Sequence, residues 1–356
     1  GNRTGRPTKR DRSPEKRPSK LANMQKQNKL TRRQFLQIVA FSGAAGAALK
    51  IGLDTLSSDE VVSESRLLIG TIISIKVVGL DPKFASEAIN ASFARMSAHE
   101  SVLSRFLPES QLSELNQAGV TSDPHPALLT VLRQSQEFSH LTDGAFDVTI
   151  NPLLALYQSN KKLPGAEEVQ QALELIDYRK IDISDQAVSL QKNGMSITLD
   201  GVAKGFIVDE GVAELQSFGL SNVMVEAGGD LMALGEKAPA SPWKIGLQAP
   251  RAEMGNLLTT MAVENQAVAT SGDYLQGFTS DFAHHHIIDP RSGYSSLELA
   301  SVSVVAPSVM LADGLATSVM VMGDAGLDMI EQMPRCEAFA VTKNARILKT
   351  SGFQAG

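Results

Sequence analysis

Apolar positions recur along the chain with two spacings. RLLIGTIISIKVVGL, residues 66–80, is β-branched and almost continuous, which predicts one long strand ending at Gly79. From Pro82 the apolar residues Ala85, Ile89, Phe93 and Met96 fall three or four apart, the stripe of a helix running to about Arg105. PESQLSELNQAG, 108–119, predicts a short helix capped by Ser110 and stopped by Gly119. Further helices are expected over about 127–141, 166–176, 204–218, 308–321 and 324–332. Short strands are expected near 180–184, 187–191, 197–200, 222–226, 243–248, 257–262, 266–270, 301–306, 338–342 and 346–350. Helices and strands interleave without a regular βαβ repeat, so the expected class is α+β, mixed sheets with packed helices.

Charge divides the chain. The first 33 residues hold twelve Lys/Arg against two Asp/Glu, leaving 21 basic and 37 acidic residues for the rest. A body that acidic is a poor partner for nucleic acid, whose phosphates need a basic face. After the basic stretch comes LTRRQFLQIVAFSGAAGAALKIG, residues 30–52, where Arg32 and Arg33 precede a weakly apolar Ala/Gly run interrupted by Lys50. The run is too short and too poor in Leu and Ile to hold a bilayer. It resembles a twin-arginine export signal, read by export machinery that moves folded proteins to the periplasm, with cleavage near Ala45–Ala48 and Met24 as a possible start. The organisation expected is a basic region with signal over 1–56, a linker over 57–65 and one domain over 66–353. The single cysteine, Cys336, leaves no intramolecular disulfide and does not choose a compartment.

Several polar stretches could carry chemistry. FAHHHIIDPRSGYS, 282–295, has three consecutive histidines. On an extended chain His284 and His286 point one way and His285 the other, so they cannot all reach one ion. In ADGLAT, 312–317, Asp313 and Thr317 stand one helical turn apart, two hard oxygen donors of the kind magnesium accepts. An Asp near a helix start and a Thr bonded to its own helix would also explain that pair. LDGVAKGFIVDEG, 199–211, passes from an expected strand through Gly201 into a helix beginning near Lys204, but matches neither dinucleotide nor Walker glycine patterns. VEAGGDL (225–231), TDGAFDVTINP (142–152) and VATSGDY (268–274) each read alone as turn chemistry.

Taken in order, IGT (69–71), SRFLPESQLSELN (104–116), TDGAFDVTINPL (142–153), LDGVAKGFIVD (199–209), AGGD (227–230), TSGDY (270–274), HIIDPRSG (286–293) and ADGLAT (312–317) make the chain resemble the ApbE family, the FAD:protein FMN transferases. The resemblance implies an ApbE-like flavin transferase fold. It also implies Mg²⁺-dependent transfer of FMN from FAD to a Ser or Thr hydroxyl of an acceptor protein, with AMP released. Asp313 and Thr317, with the Gly201 carbonyl, would hold the metal. Lys204 and Thr198 would contact the dinucleotide, and Ile69, Phe106, Ala145, Phe146 and Asp147 would line its site, Phe106 by stacking. His286 would stand near the pyrophosphate, as a base or as a charge stabiliser, leaving His284 and His285 as bystanders. The implied acceptor is an exported or membrane-anchored FMN-binding domain of a redox complex. Departures from the family pattern are Glu226 before AGGD, Leu107 in the SRF segment and Ile69 in place of a frequent Met. Two other outcomes remain open at this stage: hydrolysis of FAD to FMN and AMP, and flavin carriage without catalysis.

Overall fold

The structure, a computed structural model, describes residues 1–2, 61–79, 81–159 and 163–356. The basic region beyond its first two residues, the twin-arginine stretch and residues 57–60 of the expected linker lie outside the described residues. The expected long strand is in fact a hairpin, β1 (Val61–Leu68) and β2 (Thr71–Val78), paired antiparallel with Leu68 opposite Thr71. Residues 61–65, expected as linker, therefore belong to a strand. Ile69 and Gly70 form the two-residue turn with φ of 46° and 72°, as such hairpins require. A β-branched residue is disfavoured there, which is why the turn was hidden from sequence.

Helix α1 (Pro82–Leu103) opens on an Asp81 cap and buries the expected stripe of Ala85, Ile89, Phe93 and Met96. Helix α2 (Gln111–Ala118) starts at Ser110, whose side chain accepts from the Ser113 N–H, and ends at left-handed Gly119, both as expected. Next come β3 (Val120–Ser122), α3 (Pro126–Leu141), α4 (Asn151–Ser159), a helix not among the expected elements, and α5 (Ala166–Leu173). Strands β4 (Ile181–Ile183) and β5 (Ala187–Leu190) pair with β3 in a three-stranded sheet. Residues 197–200 form no strand; Thr198 instead donates its N–H to the Val148 carbonyl at 2.8 Å.

Helix α6 (Ala203–Ser217) leads to the hairpin β6 (Val223–Ala227) and β7 (Asp230–Leu234), whose turn is Gly228–Gly229. Strands β8 (Glu236–Ala238), β9 (Ser241–Gln248) and β10 (Leu257–Val263) make a second three-stranded sheet. Then follow β11 (Gln266–Gly272), β12 (Leu299–Ala306), α7 (Val309–Met322), α8 (Asp324–Glu331), β13 (Glu337–Thr342) and β14 (Ile347–Lys349). The large sheet runs β1-β2-β6-β7-β11-β12-β13-β14, and every pairing in it is antiparallel. The class is the expected α+β, with antiparallel rather than mixed sheets.

Two hydrophobic clusters cover the two faces of this sheet. Ile73, Ile75, Val225, Ala269 and Val304 meet α1, α6 and α7, while Met224, Leu231, Val268 and Phe339 meet Trp243, Ile245 and Met261 of the β8–β10 sheet. Strand β12 is buried at all eight positions because both its faces are covered, so its sequence shows no alternation. Helix α7 is likewise buried nearly all round, and Ala312, Gly314 and Ala316 keep it thin enough for that position. A Cβ on Gly314 would stand 2.2 Å from the Phe138 ring of α3.

Candidate active site

The start of α6 and one face of α7 meet at a cavity of about 250 Å³. One wall comes from helices: Gly201 and Lys204 at the head of α6, and Asp313, Thr317 and Val321 on α7. The end of β11 adds Thr270 and Ser271, and the 145–154 segment adds Ala145, Phe146, Asp147 and Leu154. The opposite wall is irregular chain between β11 and β12, contributing Leu275, Gln276, His286, Ile287, Ile288 and Pro290.

The helix wall holds the charge. Asp313, 5% exposed, accepts from the Gly205 N–H at 3.2 Å. That contact requires glycine at 205, because a Cβ would come within 2.5 Å of the Val309 carbonyl oxygen. The Lys204 ammonium is ion-paired with Asp230, which is 1% exposed and also accepts from the Thr270 N–H at 3.1 Å. Burial pulls the Lys204 ammonium down, but the Asp230 and Asp313 carboxylates outweigh it and leave its pKa raised. Burial pushes Asp313 up to about 7, Asp230 adds to the push, and Lys204 opposes it. Asp313 is thus a buried carboxylate whose neighbouring cation is already committed to another acid.

One turn along α7, the Thr317 hydroxyl meets Ser271 at 3.3 Å. A Cβ on Gly201 would stand 3.2 Å from the Thr317 Oγ1 and 3.5 Å from the Phe146 ring, so glycine lets the α6 entry approach this hydroxyl. Asp200 lines the cavity beside it and is held by Arg105 at 2.8 Å.

The loop wall is neutral. The His286 Nδ1 stands 3.3 Å from the Gln276 carbonyl, which can only accept, so Nδ1 carries the proton and Nε2 keeps its lone pair. Burial, with His285 next in effect, pulls His286 down to about 4, so it is an uncharged imidazole at neutral pH. His285 is fully buried and points elsewhere. Its Nε2 donates to the Ser296 carbonyl at 2.9 Å, and its Nδ1 accepts from the Ile287 N–H at 3.3 Å. It pins the segment, a structural part that the expectation of a bystander missed.

The cavity therefore gathers Ala145, Phe146, Asp147, Thr198, Gly201, Lys204, His286, Asp313 and Thr317 from distant stretches of sequence. Within that set Asp147 turns its carboxylate to structure: Oδ1 accepts from the Thr149 N–H and hydroxyl, and Oδ2 from the Tyr178 N–H. Ile69 and Phe106 are not among the lining residues. Ile69 sits in its strained turn with its N–H donated to Glu100 at 2.9 Å. Phe106 is 70% exposed under the Arg105 guanidinium, whose other contact is Asp200 at the cavity. The IGT and AGGD turns are brought together, since a Cβ on Gly228 would stand 2.6 Å from the Thr71 hydroxyl. The sequence reading assigned no role to Asp230, Asp200, Thr270 or Ser271, although all lie in stretches it singled out. Asp230 carried no local signal, because its partner Lys204 lies 26 residues away in sequence and the pair exists only in the fold.

The donor set suits a hard divalent ion: one carboxylate, one hydroxyl and the carbonyl-bearing glycine beside it. Among the described residues no group of three or more His, Cys, Asp or Glu side chains could hold a metal alone. A site of this kind would be completed by ligand oxygens or water.

Known proteins are similar to this chain in sequence and fold. A model of the ApbE family matches residues 69–340. The FAD:protein FMN transferase of Vibrio cholerae serotype O1 is 31% identical over 276 residues, covering 74% of this chain and 82% of that protein. The FAD:protein FMN transferase of Klebsiella pneumoniae (strain 342) is 29% identical over 309 residues, covering 83% and 94%. The solved structure of flavin transferase ApbE from Vibrio cholerae superposes with a TM-score of 0.73 at 29% identity, covering 83% of this chain and 98% of that one.

Proposed function

The chain belongs to the ApbE family and is an enzyme that moves flavin from FAD to protein; from that premise we propose that it carries FMN to a Ser or Thr hydroxyl and releases AMP, with Mg²⁺ at Asp313. The observation that supports the metal is the donor set: Asp313, a carboxylate that burial and then Asp230 push up to about 7, lies one turn from Thr317, whose Oγ1 would stand 3.2 Å from a Cβ on Gly201. Thr317 and the Gly201 carbonyl complete the protein's share of the donors. When bound, Mg²⁺ would neutralise charge on the phosphate oxygens and ease departure of AMP.

The chain's own residues divide the remaining work. Lys204, kept charged by Asp230, presents a fixed positive charge to the pyrophosphate. Phe146, Ala145 and Thr198 shape the dinucleotide pocket, and the Asp147 side chain holds the loop that carries them. Ile69 and Phe106 would meet the ligand only beyond the cavity, from the IGT turn and the Arg105 rim. His286 Nε2, unprotonated at neutral pH, takes the proton of the acceptor hydroxyl. The hydroxyl oxygen bonds to the FMN-side phosphorus, the bond from that phosphorus to the bridging oxygen breaks, and AMP leaves with that oxygen. The low pKa favours the base over the charged stabiliser, the two roles that sequence had left open.

The test is intact-mass analysis of an FMN-binding acceptor domain after incubation with this chain, FAD and Mg²⁺. An adduct of FMN less water on a Ser or Thr, with one AMP per adduct, is expected. AMP and free FMN without an adduct would make the protein an FAD hydrolase, and unchanged FAD would leave it a carrier. The acceptor we propose is a membrane-associated redox subunit, reached after export through the twin-arginine machinery to the periplasm. That reading is supported by Arg32–Arg33 ahead of a weakly apolar run, and periplasmic fractionation of the tagged chain with and without Arg32→Lys/Arg33→Lys checks it.

A further inference from the structure

The motif LDGVAKGFIVD ends at Asp209, one turn beyond Gly205 on α6 and outside the cavity lining. Its side chain crosses to another helix. Oδ1 accepts from the Val309 N–H at 2.8 Å and Oδ2 from the Met310 N–H at 2.9 Å, the first two backbone donors of α7. Ser308 takes the third, from Leu311 at 3.3 Å, and the Ser308 carbonyl accepts the first intrahelical bond, from Ala312 at 3.0 Å. The N–H groups of the first three helical residues, which a helix leaves open at its start, are thereby satisfied. One is satisfied by α7's own cap residue and two by α6.

The division has a geometric meaning. Ser308 stabilises α7 wherever α7 sits, because it belongs to the same stretch of chain. Asp209 can satisfy its two donors only if the start of α7 lies against α6 at one height. Gly205, one turn earlier, sets the separation, since any Cβ would strike the Val309 carbonyl and the Met310 backbone. The same glycine donates its N–H to Asp313. A carboxylate clamp, a glycine contact and a hydrogen bond to Asp313 thus lie in succession along the α6–α7 seam that ends at the cavity.

We infer that Asp209 is a positioning residue, whose bidentate grip on the start of α7 fixes Asp313 and Thr317 opposite Gly201 and Lys204. The inference rests on the metal reading of Asp313 given above. A carboxylate at a helix start is favourable in itself; what distinguishes Asp209 is that it comes from the neighbouring helix. Groups that orient a metal's ligands typically account for about 10- to 100-fold in metal affinity.

Mn²⁺ binding to the full chain, followed by electron paramagnetic resonance without turnover, separates positioning from simple helix capping. Asp209→Ala is expected to weaken Mn²⁺ binding about tenfold or more, and Asp209→Asn, which keeps the shape and one acceptor, by a smaller factor. Ser308→Ala removes a cap from the same helix but leaves the tie to α6, so its Mn²⁺ affinity should stay within about twofold of wild type. Should Asp209→Ala fail to fold, the contrast between Asp209→Asn and Ser308→Ala carries the test. Wild-type affinity in both Asp209 variants, or an equal loss in Ser308→Ala, would overturn the inference while leaving the metal reading intact. If instead wild type and Asp313→Ala bind Mn²⁺ alike, the metal reading falls and the inference falls with it.

Discussion

The two walls of the cavity are built on opposite principles. The α6–α7 wall presents ionised groups from regular helices, pressed together at glycines 201 and 205. The wall between β11 and β12 presents an uncharged imidazole and apolar side chains from irregular chain, pinned by single side-chain contacts such as His285 to Ser296 and Tyr157 to Gly293. Buried charge is tolerated only where partners are held in good geometry, and helices supply that rigidity. A neutral proton acceptor makes no such demand. A loop can carry it, and a loop can also adjust to a ligand.

Four substitutions would break or sharpen this contrast. The largest effect is expected for Lys204→Met, which leaves Asp230 buried without its cation; urea unfolding should show a loss of about 3–5 kcal/mol. Gly205→Ala places a methyl 2.5 Å from the Val309 carbonyl oxygen, and a loss of about 1–3 kcal/mol should appear as a lowered melting midpoint. On the other wall, Tyr157→Phe removes the hydroxyl that donates to Gly293 at 3.0 Å, for about 1 kcal/mol in the same urea measurement. If Tyr157→Phe proved as costly as Lys204→Met, the assignment of rigid and adaptable walls would be wrong.

The effect that is smallest at neutral pH appears only on acidification. His286 titrates near 4 in the folded state against an ordinary 6.5, so the folded protein binds fewer protons there than the unfolded chain. Its contribution is complete above about 6.5 and is lost as pH falls from there towards 4. His286→Gln should therefore shallow the decline in melting temperature between neutral and acid pH, and an unchanged decline would show that the loop wall does not enclose this imidazole.

Much of the helix wall was legible in the sequence because helical spacing is local. The four-residue step from Asp313 to Thr317 puts both on one face, and the expected helix at 204–218 delivered Lys204 close to where it stands. Ser110 and Gly119 bounded α2 as their chemistry dictates. The illegible parts depend on tertiary burial. Strand β7 was hidden because AGGD read as a turn and the strand after it is apolar at nearly every position. The β1–β2 turn was hidden because Ile69 takes a left-handed conformation that its branched side chain disfavours. Of the proposed ligand-facing set, Ile69 and Phe106 fall outside the lining, placed there by a hairpin and a rim that no periodicity announces.

Adjacent residues His285 and His286 carry their ring protons on opposite nitrogens, Nε2 in the first and Nδ1 in the second. Nitrogen-15 spectra distinguish those tautomers by chemical shift, so one peptide unit of this segment holds two spectroscopic reporters. One is turned into the protein interior and the other lines the cavity. A ligand that reorders the segment would disturb both resonances; one that merely docks against it would move only the second.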